Sequence, residues 1–184
     1  MGYDPVDDSI VSIYVGTSNK VNWLIDFDFI KTEYEYCDAC EVHQGFYAAY
    51  KSLSVEAESY LIELAAAHPG AKIVVTGHSL GGAEAVLAAL AYERLGFQVA
   101  LYTLGQPRVG NFEFVEHLNT HISFEYLRAV YREDPVPTVP FNEVTKFYHG
   151  GREIHFYSCA EGSYIVYPDE SEDYQVIEFN LIWE

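Results

Sequence analysis

Five residues, Gly77-x-Ser79-x-Gly81, constrain this chain more than any other stretch. The pattern gains weight from its flanks. An apolar run at 72–76, Lys-Ile-Val-Val-Thr, stands directly before it, and an alanine-rich stretch reaching Leu95 follows directly after. That context reads as strand, tight turn and helix. A serine on such a turn sits in strained backbone geometry. Side chains two positions to either side would collide, so both places are glycine. The turn lifts the serine to the carboxyl end of a sheet. The helix starts beneath it, and its free N–H groups and dipole favour an oxyanion nearby. Ala83, Ala85, Ala88 and Ala89 let that helix approach the sheet closely. The pattern points to a nucleophile, against the plainer reading of a glycine-rich turn with an incidental serine. His78 reads as the variable position of the motif, because a ring one residue away reaches the serine hydroxyl only awkwardly.

The rest of the chain supplies an alternation of strands and helices. Residues 10–15 form a short apolar run, consistent with a buried strand. Phe46, Tyr50, Leu53, Ala57, Leu61 and Leu64 recur at three- and four-residue steps, predicting a helix over 45–67 that Pro69-Gly70 stops. Further strands are expected at 98–104 and 124–131, with a helix at 111–120 and hairpin strands after Ile154. The segment Asp134-Pro-Val-Pro-Thr-Val-Pro140 reads as stiff loop. The period of 19–30 is unclear. The sum is one α/β domain over 1–184, a mostly parallel sheet covered by helices on both faces. With 10 basic and 28 acidic residues the net charge is −18, which excludes a phosphate-binding surface and hence a nucleic-acid partner. No run approaches the roughly 20 apolar residues of a membrane span, and no signal peptide is visible.

A serine nucleophile needs a base, and the base an orienting acid. Where the order is serine, acid, histidine, the acid should leave the end of a strand after Ser79. Asp134 fits, fixed by Pro135 and Pro137. Glu133 is its neighbouring rival, and a turn-initiating Asp-Pro its plainer reading.

The sequence then resembles the fungal-type class 3 lipases, triacylglycerol lipases with feruloyl esterases among their relatives. The matching residues run in order: Val15-Gly16-Thr17-Ser18 with Asn22-Trp23, Cys37-x-x-Cys40, Val42-His43-Gln44-Gly45-Phe46, and Val75 through Gly82. Gly105-Gln106-Pro107-Arg108-Val109-Gly110, the Asp134–Pro140 segment and His149-Gly150-Gly151-Arg152-Glu153-Ile154 complete the set. The resemblance implies an α/β-hydrolase fold, shortened at both ends relative to the family. It implies Ser79 as nucleophile, Asp134 as triad acid, and an oxyanion hole from the backbone N–H groups of Leu80 and Thr17. It makes 19–30 the family's lid, against a buried connecting helix. One departure is Val15, where the family usually has arginine. No metal or organic cofactor is implied.

The base does not fall where the family has it, well beyond the His-x-x-x-Glu segment. After Asp134 the chain has only His149 and His155. Three readings stand: a chain that stops short of the histidine; His149 or His155 acting as base; or a catalytically impaired relative, with Tyr174 near the histidine position. Cys37 and Cys40 resemble the family's short disulfide, which implies a secreted or luminal setting. A zinc site at Cys37, Cys40 and His43 lacks a fourth ligand nearby. Cys159 would find its partner past the end of the chain. The expected activity is hydrolysis of neutral acylglycerols or related carboxylic esters at a lipid–water interface. A phospholipase A1 or feruloyl-type esterase, and a non-catalytic lipid-binding or interaction module on the same fold, are the alternatives.

Overall fold

The computed structural model describes residues 1–16, 29–122, 124–160 and 162–167. Its centre is a seven-stranded sheet. In chain order the elements are β1 (Gly2–Asp4), β2 (Ser9–Tyr14), β3 (Lys31–Glu33), β4 (Glu41–His43), α1 (Gln44–Ala67) and β5 (Lys72–His78). They continue with α2 (Leu80–Arg94), β6 (Val99–Leu104), α3 (Phe112–His121), β7 (Glu125–Tyr131), a 3-10 turn (Val136–Thr138), α4 (Asn142–Thr145), β8 (Arg152–Phe156) and β9 (Tyr164–Val166). The strand order is β1-β2-β5-β6-β7-β8-β9, with β3 and β4 pairing apart as a two-stranded ribbon. Strands β2, β5, β6, β7 and β8 run parallel, and β1 and β9 pair antiparallel at the edges. The mostly parallel sheet expected from the sequence is therefore present.

Period-2 burial explains how the sheet is held. Ile10, Ile73, Val75, Val99 and Leu101 share one face and are all buried. On the other face Val74 and Thr76 are half-buried and Ile13 is 61% exposed. The helix α2 packs against β2, β5 and β6, with α1 and α3 in turn against α2. Every residue of α2 from Gly81 to Tyr92 is buried. Glu84 apart, the buried stretch carries no charged residue, and its five alanines shorten the distance to its neighbours. The hydroxyls of Ser12, Tyr14 and Tyr92 meet in the same interior, tying β2 to α2.

The ends of the helices follow capping chemistry. His43 caps α1, its Nδ1 accepting from the Phe46 N–H at 3.3 Å. Asn111 caps α3, its Oδ1 accepting from Phe114 N–H at 3.0 Å. The same oxygen takes the Glu41 N–H and the Asn111 amide donates to the Ala39 carbonyl, both at 2.9 Å, which fastens the ribbon to the helix. Cys37 and Cys40 form a disulfide within the ribbon's turn. That pairing takes both sulfurs and the cap occupies His43, so zinc ligation by these three residues does not occur. Cys159 keeps a free thiol beside the Tyr131 hydroxyl. No helix among the described residues is long and apolar enough to cross a membrane.

Candidate active site

The parallel strands bring their carboxyl ends to one edge, where β5 turns into α2. Ser79 makes that turn at φ 57° and ψ −126°, a conformation costly for any residue with a side chain. Its N–H donates to the Leu104 carbonyl of β6 at 2.9 Å, and its carbonyl accepts from Gly82 N–H at 2.9 Å. The turn is thus overdetermined from both sides. A β-carbon at Gly77 would overlap the Gly81 carbonyl, and one at Gly81 would overlap the Tyr14 carbonyl at the end of β2. The two glycines serve different contacts: the first lets the turn close on itself, the second lets α2 abut β2. Ser79 is 2% exposed.

Leu80 opens α2, and its N–H is among the four that a helix leaves without an intrahelical acceptor. Thr17, the other expected oxyanion donor, lies outside the described residues, as does most of the expected lid at 19–30. Gly16, the last described residue before Thr17, lies against the His78 carbonyl, and a β-carbon there would stand 3.3 Å from that of Ser79.

Asp134 follows β7 at the same edge. Its Oδ1 accepts from the Val136 N–H at 3.0 Å, closing a turn that aims the carboxylate. Its other oxygen points to Gly105, at the end of β6. A β-carbon on Gly105 would stand 2.7 Å from Asp134 Oδ2 and 3.7 Å from His78 Nε2. Gly105 also has φ +53°, in the left-handed region, so two separate constraints require glycine there. This contact spans 29 positions in sequence and no local pattern announces it. Glu133, the rival acid, is exposed.

All seven histidines are among the described residues. His43 caps α1, His68 stacks on Tyr3, and His117 and His121 pack together on α3. His149, a candidate base from the sequence, is 1% exposed and its Nε2 donates to the Pro137 carbonyl at 2.8 Å. Burial, then the cations of Arg128 and Arg108, hold its pKa well below the usual histidine value, so it is a neutral donor locked in place. His155, the other candidate, directs Nδ1 to Glu153 at 3.4 Å and lays its ring on Tyr157. Among the described residues no histidine ring is hydrogen-bonded to the Asp134 carboxylate.

Comparisons with known proteins identify the family and the fold. Residues 11–144 match the family described as Lipase (class 3). A secreted mono- and diacylglycerol lipase 1 from Fusarium solani is 38% identical over 125 residues, which are 68% of this chain and 37% of that protein. A lipase from Rhizomucor miehei is 36% identical over 154 residues, 79% of this chain and 42% of that protein. The chain thus spans less than half the length of these curated relatives. The solved structure of Rhizomucor miehei triacylglyceride lipase superposes with a TM-score of 0.89 at 29% identity, covering 96% of this chain and 69% of the other. A triacylglycerol lipase whose catalytic centre is a serine protease triad superposes at 0.85 with 32% identity, covering 91% and 65%. The α/β-hydrolase fold, the strained serine turn and the family match lead to one statement: this chain belongs to the class 3 lipases.

Proposed function

We propose that the chain carries the nucleophile of a serine ester hydrolysis reaction acting on acylglycerols and related carboxylic esters. The observation that carries this is Ser79, held at positive φ between a parallel strand and a buried helix with the first N–H groups of α2 beneath it. Ser79 Oγ attacks the ester carbonyl carbon while its proton passes to a general base, a part that no described histidine takes by resting on the Asp134 carboxylate. The tetrahedral intermediate collapses, the alcohol leaves with that proton, and water then releases the fatty acid from the acyl-enzyme. The N–H groups of Leu80 and Thr17 hold the oxyanion, each worth about 3–4 kcal/mol. Acyl transfer of this kind needs no cofactor. The names of the relatives support acylglycerol as substrate, and those names with the Cys37–Cys40 disulfide support a secreted or luminal setting.

A second reading, a lipid-binding module without turnover, draws on the carboxylate of Asp134, to which no histidine ring is hydrogen-bonded among the described residues. Two measurements separate the readings. A fluorophosphonate probe is expected to label Ser79, and emulsified diacylglycerol to release fatty acid. A chain that binds the emulsion but shows neither labelling nor release is the module.

The contact between Gly105 and the acid gives a further expected result. Gly105→Ala drives a methyl group into Asp134 Oδ2 and strains the backbone. Displacing an acid by about an ångström costs on the order of 10²-fold in kcat. Steady-state hydrolysis of p-nitrophenyl butyrate reads this, and an unchanged kcat in the alanine variant would remove Asp134 from the mechanism.

A further inference from the structure

The Gly105–Gly110 and His149–Ile154 motifs each contain a buried polar residue that the reaction above does not use. These residues, Arg108 and His149, meet at one place. Between Asp134 and Pro140 three of seven residues are proline and lack an N–H. The only regular structure in that stretch is the single 3-10 turn Val136–Thr138. The segment's own donors reach only the carbonyls of Pro135 and Val136, so those of the next four residues must be taken by something else.

Arg108 and His149 take four in a row. His149 Nε2 donates to the Pro137 carbonyl at 2.8 Å. Arg108 Nη1 donates to the carbonyls of Thr138 and Pro140, the latter at 3.0 Å. The backbone N–H of Arg108 donates to the Val139 carbonyl at 2.9 Å. The two side chains are 6% and 1% exposed, so both grips are sheltered from competing water. They also come from opposite sides in sequence, Arg108 before the loop and His149 after it. Arg108 lies three residues beyond Gly105, so one short segment borders the Asp134 carboxylate at one end and grips its loop at the other.

We propose that Arg108 and His149 are positioning residues for Asp134, a two-sided clamp that fixes the acid through the backbone of the loop that carries it. The inference rests on Asp134 being the triad acid. A guanidinium suits the task because its rigid plane fixes the two N–H bonds of Nη1, which serve both carbonyls from one position, whereas an ammonium turns freely on a flexible stem. A carboxylate on an unclamped loop would wander by more than the roughly 0.5 Å that productive geometry tolerates.

The test uses Arg108→Met, Arg108→Lys, His149→Phe and His149→Gln in the full chain, with p-nitrophenyl butyrate hydrolysis and an NMR readout. Arg108→Met and His149→Phe are expected to lower kcat on the order of 30-fold or more while KM stays within about twofold. His149→Gln, which keeps an N–H donor, is expected to recover most of kcat. The amide proton of Val136, bonded to Asp134 Oδ1, is expected to move upfield in the two disruptive variants as that bond lengthens. Folded variants with kcat within twofold of the parent, or an unmoved Val136 amide, overturn the clamp. If Arg108→Met fails to fold, Arg108→Lys with His149→Phe carries the same judgement. If the parent shows no Ser79-dependent hydrolysis, the enzyme reading fails, and the Val136 amide still decides the clamp.

Discussion

Ser79→Ala is expected to slow ester hydrolysis by about 10⁴-fold or more, leaving only what the oxyanion donors and binding supply. The substitution removes one oxygen from a residue that is 2% exposed, and the turn that holds it is fixed by backbone contacts alone. The Ser79 N–H still reaches Leu104 and its carbonyl still accepts from Gly82. Alanine adds nothing to the strain at φ 57°, because serine already carries a β-carbon there. The variant should therefore melt close to its parent while losing turnover and fluorophosphonate labelling together. Turnover within tenfold of the parent would assign the reaction to a different nucleophile.

The second large effect is on stability. Gly81→Ala places a methyl group on the Tyr14 carbonyl oxygen, 2.6 Å from the Tyr14 carbonyl carbon and 2.8 Å from that of Val15. All three atoms are backbone, so no side chain can rotate out of the way. Relief requires α2 to separate from the end of β2, where Gly81 and Tyr14 are both buried. The expected loss is about 3 kcal/mol or more, at the upper end for overpacking. Gly70→Ala is the control. Gly70 has φ +87° but open space around it, so only the left-handed conformation is penalised, by about 1 kcal/mol. Urea unfolding of the two variants should separate them clearly. Equal midpoints would mean that the β2–α2 contact is not tight.

Much of this is legible in the amino-acid sequence. The strand before Ser79 and the helix after it were readable because the apolar run, the two glycines and the alanines all lie within about two dozen consecutive residues. The structure extends the strand two residues further, to His78, and ends the helix at Arg94, next to the expected stop at Gly96. The helix read at 45–67 appears as Gln44–Ala67, and the strand read at 98–104 as Val99–Leu104. The elements missed are all short, the four-residue α4 among them. Strands β1, β3 and β4 have three residues each, too few for an alternating pattern to show.

The site divides along the same line. Ser79 and Asp134 could be picked out because each sits in a local punctuation pattern. The contact of Gly105 with the Asp134 carboxylate could not, since it joins two loops through space. His149 was ambiguous for a physical reason. A histidine next to two glycines looks like an available imidazole, and only the Pro137 carbonyl and the surrounding cations reveal a neutral structural donor.

The ribbon of β3 and β4 has one more consequence. Its disulfide closes a turn of only three sequence steps, which removes about 2 kcal/mol of disorder from the unfolded chain. The same ribbon is held by its own ladder, by Asn111, which bonds the Glu41 N–H, the Glu41 carbonyl and the Ala39 carbonyl, and by the Tyr34 N–H on the Cys40 carbonyl. Its shape is therefore specified several times over by bonds that thiols do not control. Reduction is expected to remove a reinforcement and leave the pairing of the ribbon intact.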